Sequence, residues 1–245
     1  MGYGTISPTA HENGGVTEYY QFPNLGMTFN AISSQYTRFK LGNTTAVGLD
    51  PTAEYLYQIS PDSCAVDADS SLIYVDAATA EALGDSTLAG WWDQGMTESK
   101  NDVEYTAGTS FIGSLSADHD VTFQCAGEAL NTAINVNIAG KVYPHMANPV
   151  PRDVKFSEIA VVGFDPTAEY FYKIDPASCA VDGSSSIIYI DAETAEALGD
   201  ASVVGWWDQG MTEQLADSEW KSGDCYIGSM GGTAEDVVVS FPAAY

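Results

Sequence analysis

Basic side chains are nearly missing from this sequence. Eight Lys and Arg stand against 34 Asp and Glu, a formal net charge of −26. A surface of that sign repels nucleic-acid phosphates and anionic headgroups, which argues against DNA, RNA or membrane-surface partners. So much like charge must be screened by salt or neutralised by cations. No run approaches the roughly 20 apolar residues that span a bilayer, so membrane insertion is not expected. No basic stretch followed by an apolar one opens the chain, as a secretory leader would. Two origins fit: a leader already removed, or Met1 as a true start, as in a phage virion protein. Histidine is scarce as well. His11, His119 and His145 are scattered, which supports neither a catalytic triad nor a histidine metal centre. The four cysteines form no CxxC and no Cys–His spacing, so zinc is not expected.

What the sequence does contain is an internal repeat. Residues 48–98 align with 163–213 at a constant offset of 115, and 37 of the 51 positions are identical. The shared blocks are DPTAEY (Asp50–Tyr55, Asp165–Tyr170), SCAVD (Ser63–Asp67, Ser178–Asp182), TAEALGD (Thr79–Asp85, Thr194–Asp200) and GWWDQGMTE (Gly90–Glu98, Gly205–Glu213). The match continues more weakly through Ala107–Ser114 against Ser222–Ser229, and Asp120–Phe123 against Val238–Phe241. One unit has therefore been duplicated. Residues 1–14 form an N-terminal arm without a counterpart, 15–128 the first β-domain and 129–245 the second.

Within a unit, strand signals dominate. Thr17–Phe22, Met27–Ile32, Ala133–Ile138 and Lys141–Met146 are strand-like. Ala53–Ile59 alternates, with Tyr55, Tyr57 and Ile59 on one face. Ser70–Val75 and Leu88–Trp92 also fit strands, and Glu104–Leu115 with Val121–Cys125 suggests a terminal hairpin. Asp76 stands where an N-cap should, before a short helix over Ala77–Leu83 that Gly84 ends. Asp191, Ala192–Leu198 and Gly199 repeat the device. The expected class is all-β: two tandem β-sandwich-like domains related by duplication, each with one short helix.

Cys64 and Cys179 are equivalent across the repeats, whereas Cys125 and Cys225 are not. If Ile112 faces Phe123 across the terminal hairpin, Ser110 lies opposite Cys125, and Ser110 is the equivalent of Cys225. Paired strands place such positions about 4.5–5.5 Å apart at Cβ. Bridges Cys64–Cys125 and Cys179–Cys225 are thus expected, each stabilising its domain by roughly 4 kcal/mol in the chain-entropy model. They would imply an oxidising compartment. Four buried free thiols, a Cys64–Cys179 bridge or a bond between subunits are the alternatives.

Few residues suggest a ligand. Trp91–Trp92 and Trp206–Trp207 are interface or ligand candidates. Adjacent strand residues point to opposite faces, so one of each pair belongs to the core, and the other could stack on a sugar or a neighbouring subunit. Asp93, Asp208, Glu98 and Glu213 are plentiful surface carboxylates; no pair stands out at glycosidase spacing. Asp67 and Asp69, beside Ser70 and Ser71, are weak Ca²⁺ candidates, and Asp182, Gly183 and Ser184 lack the second carboxylate. No other cofactor is expected. Asp50 and Asp165, each before Pro, suit turn starts. Gly113 and Gly228 suggest bulges rather than a phosphate-cradling loop.

The second unit opens Tyr143-Pro-His-Met-Ala-Asn148-Pro149-Val-Pro151 and later shows Ser222-Gly223-Asp-Cys-Tyr226-Ile-Gly and Val238-Val-Ser-Phe241. The first keeps Ala107-Gly108 to Phe111 and Val121-Thr-Phe123, with Ser33-Ser34-Gln35-Tyr36 where Asn-Pro-x-Pro would be. This resembles the repeat domains of large secreted bacterial surface proteins. The resemblance implies an extracellular β-domain of structural or adhesive type and transfers no catalytic residue. The expected function is that of a non-enzymatic, self-assembling surface protein, a filament or surface-layer subunit whose principal partner is itself. A carbohydrate-binding module with glycan partners and a phage virion protein are the alternatives. Mass measurement of the intact protein with and without reductant tests the thiols: a mass gain on reduction is expected, and no gain returns them to free cysteines.

Overall fold

The computed structural model describes residues 9–10, 15–22, 28–33, 38–60, 66–106, 110–115, 121–128, 132–138, 142–150, 152–175, 180–221, 225–230 and 237–243. They form an all-β, sandwich-like structure with two short α-helices. The strands of the first half are β1 (Thr9–Ala10), β2 (Gly15–Phe22), β3 (Thr28–Ser33), β4 (Arg38–Lys40), β5 (Thr44–Val47), β6 (Tyr55–Ile59), β7 (Val66–Val75), β8 (Gly90–Asp93), β9 (Glu104–Thr106), β10 (Ser110–Leu115) and β11 (Val121–Glu128). Those of the second are β12 (Ile134–Asn137), β13 (His145–Ala147), β14 (Val154–Lys155), β15 (Ala160–Val162), β16 (Tyr170–Asp175), β17 (Ala180–Ile190), β18 (Gly205–Asp208), β19 (Glu219–Trp220), β20 (Cys225–Ser229) and β21 (Val238–Phe241). Helices α1 (Ala77–Ala82) and α2 (Ala192–Leu198) follow β7 and β17.

Sheet orders correspond between the halves. A five-stranded sheet β3-β10-β6-β7-β8 matches β13-β20-β16-β17-β18, and the ribbon β4-β9 matches β14-β19. The remaining sheet, β1-β2-β11-β5, matches β12-β21-β15 apart from β1. All described pairings are antiparallel.

Local chemistry accounts for the helices. The Asp76 carboxylate accepts the Thr79 amide at 2.6 Å, and Asp191 accepts that of Thr194 at 2.7 Å. Each supplies a partner for a first-turn N–H with no acceptor inside its helix. Gly84 (φ +84°) and Gly199 (φ +77°) then end the helices in the left-handed region that glycine enters without a Cβ clash. Leu88 belongs not to the strand that follows but to a 3-10 turn, Ser86–Leu88, capped by Asp85.

Three points concern the strands, the first and third of them corrections. First, β10 and β11 do not form a hairpin. β10 lies between β3 and β6 and β11 between β2 and β5, so both edges of each are already taken and the chain changes sheets between them. Second, Leu56 enters the core in β6 while Tyr55 and Tyr57, on the other face, are half-buried, as are Tyr170 and Tyr172 around buried Phe171. The phenols remain near water, where the Tyr55 hydroxyl donates to the Thr52 carbonyl at 3.1 Å. Third, Gly113 and Gly228 sit in regular ladder positions. A Cβ on Gly228 would run into the Met230 methyl and lie 2.8 Å from Pro144 Cγ, so close packing excludes a side chain there.

The bulge lies elsewhere, in the β6–β7 ladder, where Leu56 pairs with Leu72 but Gln58 with Asp67. Ser70 fills the gap: its hydroxyl accepts the Gln58 amide at 2.7 Å and donates to the Asp67 carbonyl at 2.6 Å. Ser185 does the same between Lys173 and Asp182.

In the second half the core is aromatic. Trp206 packs against Phe156, Phe171 and Tyr189, and Trp220 against Tyr226 and Phe241, with centroids 4.4–5.7 Å apart. Asn148, fully buried, closes its rim. Its amide donates to the Arg152 carbonyl at 2.9 Å and the Trp220 carbonyl at 3.0 Å, and its oxygen accepts the Val150 amide at 2.9 Å. Removing a buried partner costs about 1–3 kcal/mol per stranded group. Asn148→Ala is therefore expected to lower stability by about 2–4 kcal/mol, read as a drop in the urea midpoint at unchanged slope.

Candidate functional site

The GWWDQGMTE segment is the feature most fully shared by the halves. In β8 the pleat sends Trp91 inward, at 1% exposure, and leaves Trp92 half-buried; Trp206, also at 1%, and Trp207 repeat this. Trp91 and Trp206 therefore present no surface to a ligand, which removes them as candidates. Their indole N–H groups donate to the carbonyls of Thr44 at 3.1 Å and Ile159 at 2.9 Å. The half-buried Trp92 and Trp207 turn their N–H groups onto the carbonyls of Leu88 and Val203, both at 2.7 Å. A sugar or neighbouring subunit would thus meet ring surface, not a free donor.

After each pair comes a tight turn held by one carboxylate. Asp93 Oδ1 accepts the amides of Thr97 at 2.7 Å and Glu98 at 2.6 Å, and Oδ2 accepts the Thr97 hydroxyl at 2.7 Å. Asp208 does the same for Thr212 and Glu213. The Glu98 amide foremost, with the Thr97 hydroxyl, holds the Asp93 pKa below its usual value, and Glu213 and Thr212 do so for Asp208. These turns place Met96 and Met211 at φ 52°, a conformation a methionine adopts only when its surroundings impose it. The carboxylates are thus already engaged in holding backbone.

The remaining acidic candidates behave alike. Asp67 Oδ1 accepts the Asp69 amide at 3.1 Å within the β7 bulge, and Asp182 accepts the Ser184 amide and hydroxyl. Asp69 is exposed. Among the described residues no group of three or more His, Cys, Asp or Glu is placed to hold a metal ion. Asp50 and Asp165 start turns, each accepting the amide and hydroxyl of the Thr two residues on.

Sequence reasoning missed the carboxylates in the same motif that lie inside. Glu54 and Glu169 are 0% and 2% exposed, and each accepts the backbone amide four residues earlier, from Asp50 and Asp165, at 2.7 Å. Desolvation raises the Glu169 pKa. Their place beside DPT turns gave them the appearance of surface residues.

Cys125 stands in β11 opposite Glu18 and Thr44, and Cys225 in β20 opposite Ala147. The hairpin register that made Cys125 and Ser110 cross-strand neighbours does not exist. Cys64 and Cys179 lie outside the described residues, as do His11 and His119, and no disulfide occurs among the described residues.

His145, in β13 opposite Ile227, has its Nε2 buried, and desolvation pushes its pKa down to about 4 from 6.5. A histidine more acidic in the folded state takes its proton first in the unfolded chain. Its contribution to stability is complete above pH 6.5 and is lost as pH falls toward 4, about 3 kcal/mol in all. His145→Gln is expected to flatten the pH dependence of the urea midpoint in that window relative to the parent, and equal slopes would remove His145 as its source.

No protein-family model, curated protein or solved structure matches this chain.

Proposed function

We propose that this protein is a structural, self-assembling surface protein, a filament or layer subunit, and that it performs no catalysis. One observation carries the reading: apolar side chains stand in water at the same places in both halves. Val47 and Val162 are 59% and 65% exposed, and Leu83 and Leu198 59% and 57%. A lone exposed Val or Leu is ordinary. A matched set presents the same contact twice on one chain, which suits repeated association with further copies. Asp76, Asp85 and Asp93 and their counterparts Asp191, Asp200 and Asp208 are engaged with backbone, consistent with a role in holding shape. The resemblance of the Asn148-Pro149-Val-Pro151 and Val238–Phe241 motifs to secreted surface repeats favours an extracellular setting.

With a net charge of −26, copies approach one another only when that charge is screened. Size-exclusion chromatography and negative-stain microscopy over a salt series are expected to show monomer at low salt and filaments or sheets at high salt. Deleting residues 1–14 is expected to reduce assembly. A monomer at every salt concentration would overturn the reading, and unchanged assembly of the deletion would remove the arm from it.

A further inference from the structure

We propose that the two halves close on each other through equivalent strands, β3 and β10 against β13 and β20, and that protonation of His145 in this joint opens it. β3 lies beside both β13 and β20, and β13 lies beside β10 as well. By sheet order β3 corresponds to β13 and β10 to β20. Exchanging the halves turns the β10–β13 contact into the β20–β3 contact and leaves β3–β13 as it was. That is the pattern of an isologous, twofold contact, made here between two halves of one chain.

The second-half side of the joint is buried on both faces. Met146 and Tyr226 form one cross-strand pair and belong to the core cluster, where Tyr226 meets Trp220. Adjacent strand residues point to opposite faces, so their neighbours point away from that core. Ala147 and Ile227 are nevertheless 0% and 3% exposed. A sandwich standing alone turns its outer face to water. The first-half strands that lie against β13 and β20 account for the cover.

His145 shares that outer face. It pairs with Ile227, stands two residues from Ala147, and has its Nε2 buried. Neither β3 (Thr28–Ser33) nor β10 (Ser110–Leu115) contains an ionisable side chain. β20 contributes Cys225, a neutral thiol in acid, and Tyr226, which faces the core. Tyr172 pairs with Ile227 on the far side, and burial raises its pKa, so it stays neutral. Lys173 lies over the Tyr226 ring, on the opposite face. A cation formed on His145 would therefore meet only neutral side chains from these strands, whereas opening returns the imidazole to water.

Burial holds His145 at about 4 against the ordinary 6.5. A group with a lowered pKa when closed takes its proton first when open. Its contribution to closure is complete above pH 6.5 and falls away toward pH 4. At pH 5 closure is weakened about 30-fold relative to pH 7.5.

Amide exchange on the full-length protein reads the joint. Gly228 N–H donates to the Pro144 carbonyl at 2.8 Å, so ladder alternation turns the His145 and Ala147 amides away from β20. After correction for intrinsic rates, these two amides are expected to open more often than that of Val239 in the core ladder. Their opening is expected to rise about 30-fold from pH 7.5 to pH 5. His145→Gln is expected to keep the separate opening and lose its pH dependence. Ala147→Arg forces a charge into the joint. Small-angle X-ray scattering is expected to show a larger maximum dimension for it at pH 7.5, with the parent's near-ultraviolet tryptophan signal. Exchange of His145 and Ala147 at the Val239 rate at both pH values overturns the proposal, and the parent alone decides that point. An Ala147→Arg protein of parent dimension with its tryptophan signal intact overturns it as well. A separate opening that does not rise at pH 5, or rises equally in His145→Gln, overturns the acid release.

Discussion

In each half, an indole joins the two sheets. Trp91 and Trp206 start in the five-stranded sheet, pass through the core and donate to the backbone of the facing layer, at Thr44 and Ile159. Burying an indole strengthens the core only if its N–H finds an acceptor. Here the acceptor is at or beside the start of an edge strand, so one contact fixes both the depth of the tryptophan and the place of that strand. Buried Leu56, Leu72 and Phe111 belong to the same cluster in the first half, as do Phe156, Phe171 and Ile187 in the second. Truncating a buried tryptophan removes about 3–5 kcal/mol in other cores, a large fraction of what usually holds a domain folded.

The acidic composition has a local use besides its global cost. Asp76, Asp85, Asp93 and their counterparts Asp191, Asp200 and Asp208 each accept backbone amides that the strands and helices leave without partners. A carboxylate performs this better than a neutral acceptor, because charge-assisted hydrogen bonds are the stronger kind. Few of these aspartates need a cation, which fits a chain with eight Lys and Arg. The cost appears between molecules, where like charge opposes approach. That balance makes salt the natural control over any association of this protein.

Much of the local structure was legible. The caps at Asp76 and Asp191, the glycines that end both helices, and the inward–outward division of each Trp pair follow from rules acting over a few residues. The failures lie where distant parts of the chain decide. Pairing β10 with β11 was the economical choice for two strands close in sequence, but β2, β3, β5 and β6 had already filled their edges. Glu54 and Glu169 looked like surface residues because nothing nearby in sequence announces that the turn before them folds inward.

The sequence by itself determined that there are two matching units, that they are β-rich, where their helices begin and end, and that the chain carries a large negative charge. Identity at fixed spacing, capping chemistry and charge are properties of neighbouring residues and need no fold to express them. Tertiary structure alone decided which strands pair, that Asn148 serves three backbone groups from Val150 to Trp220, and that Glu54 and Glu169 lie inside. Those outcomes depend on which backbone hydrogen-bonding groups remain unsatisfied once every other strand has been placed, and that is set by the whole chain at once.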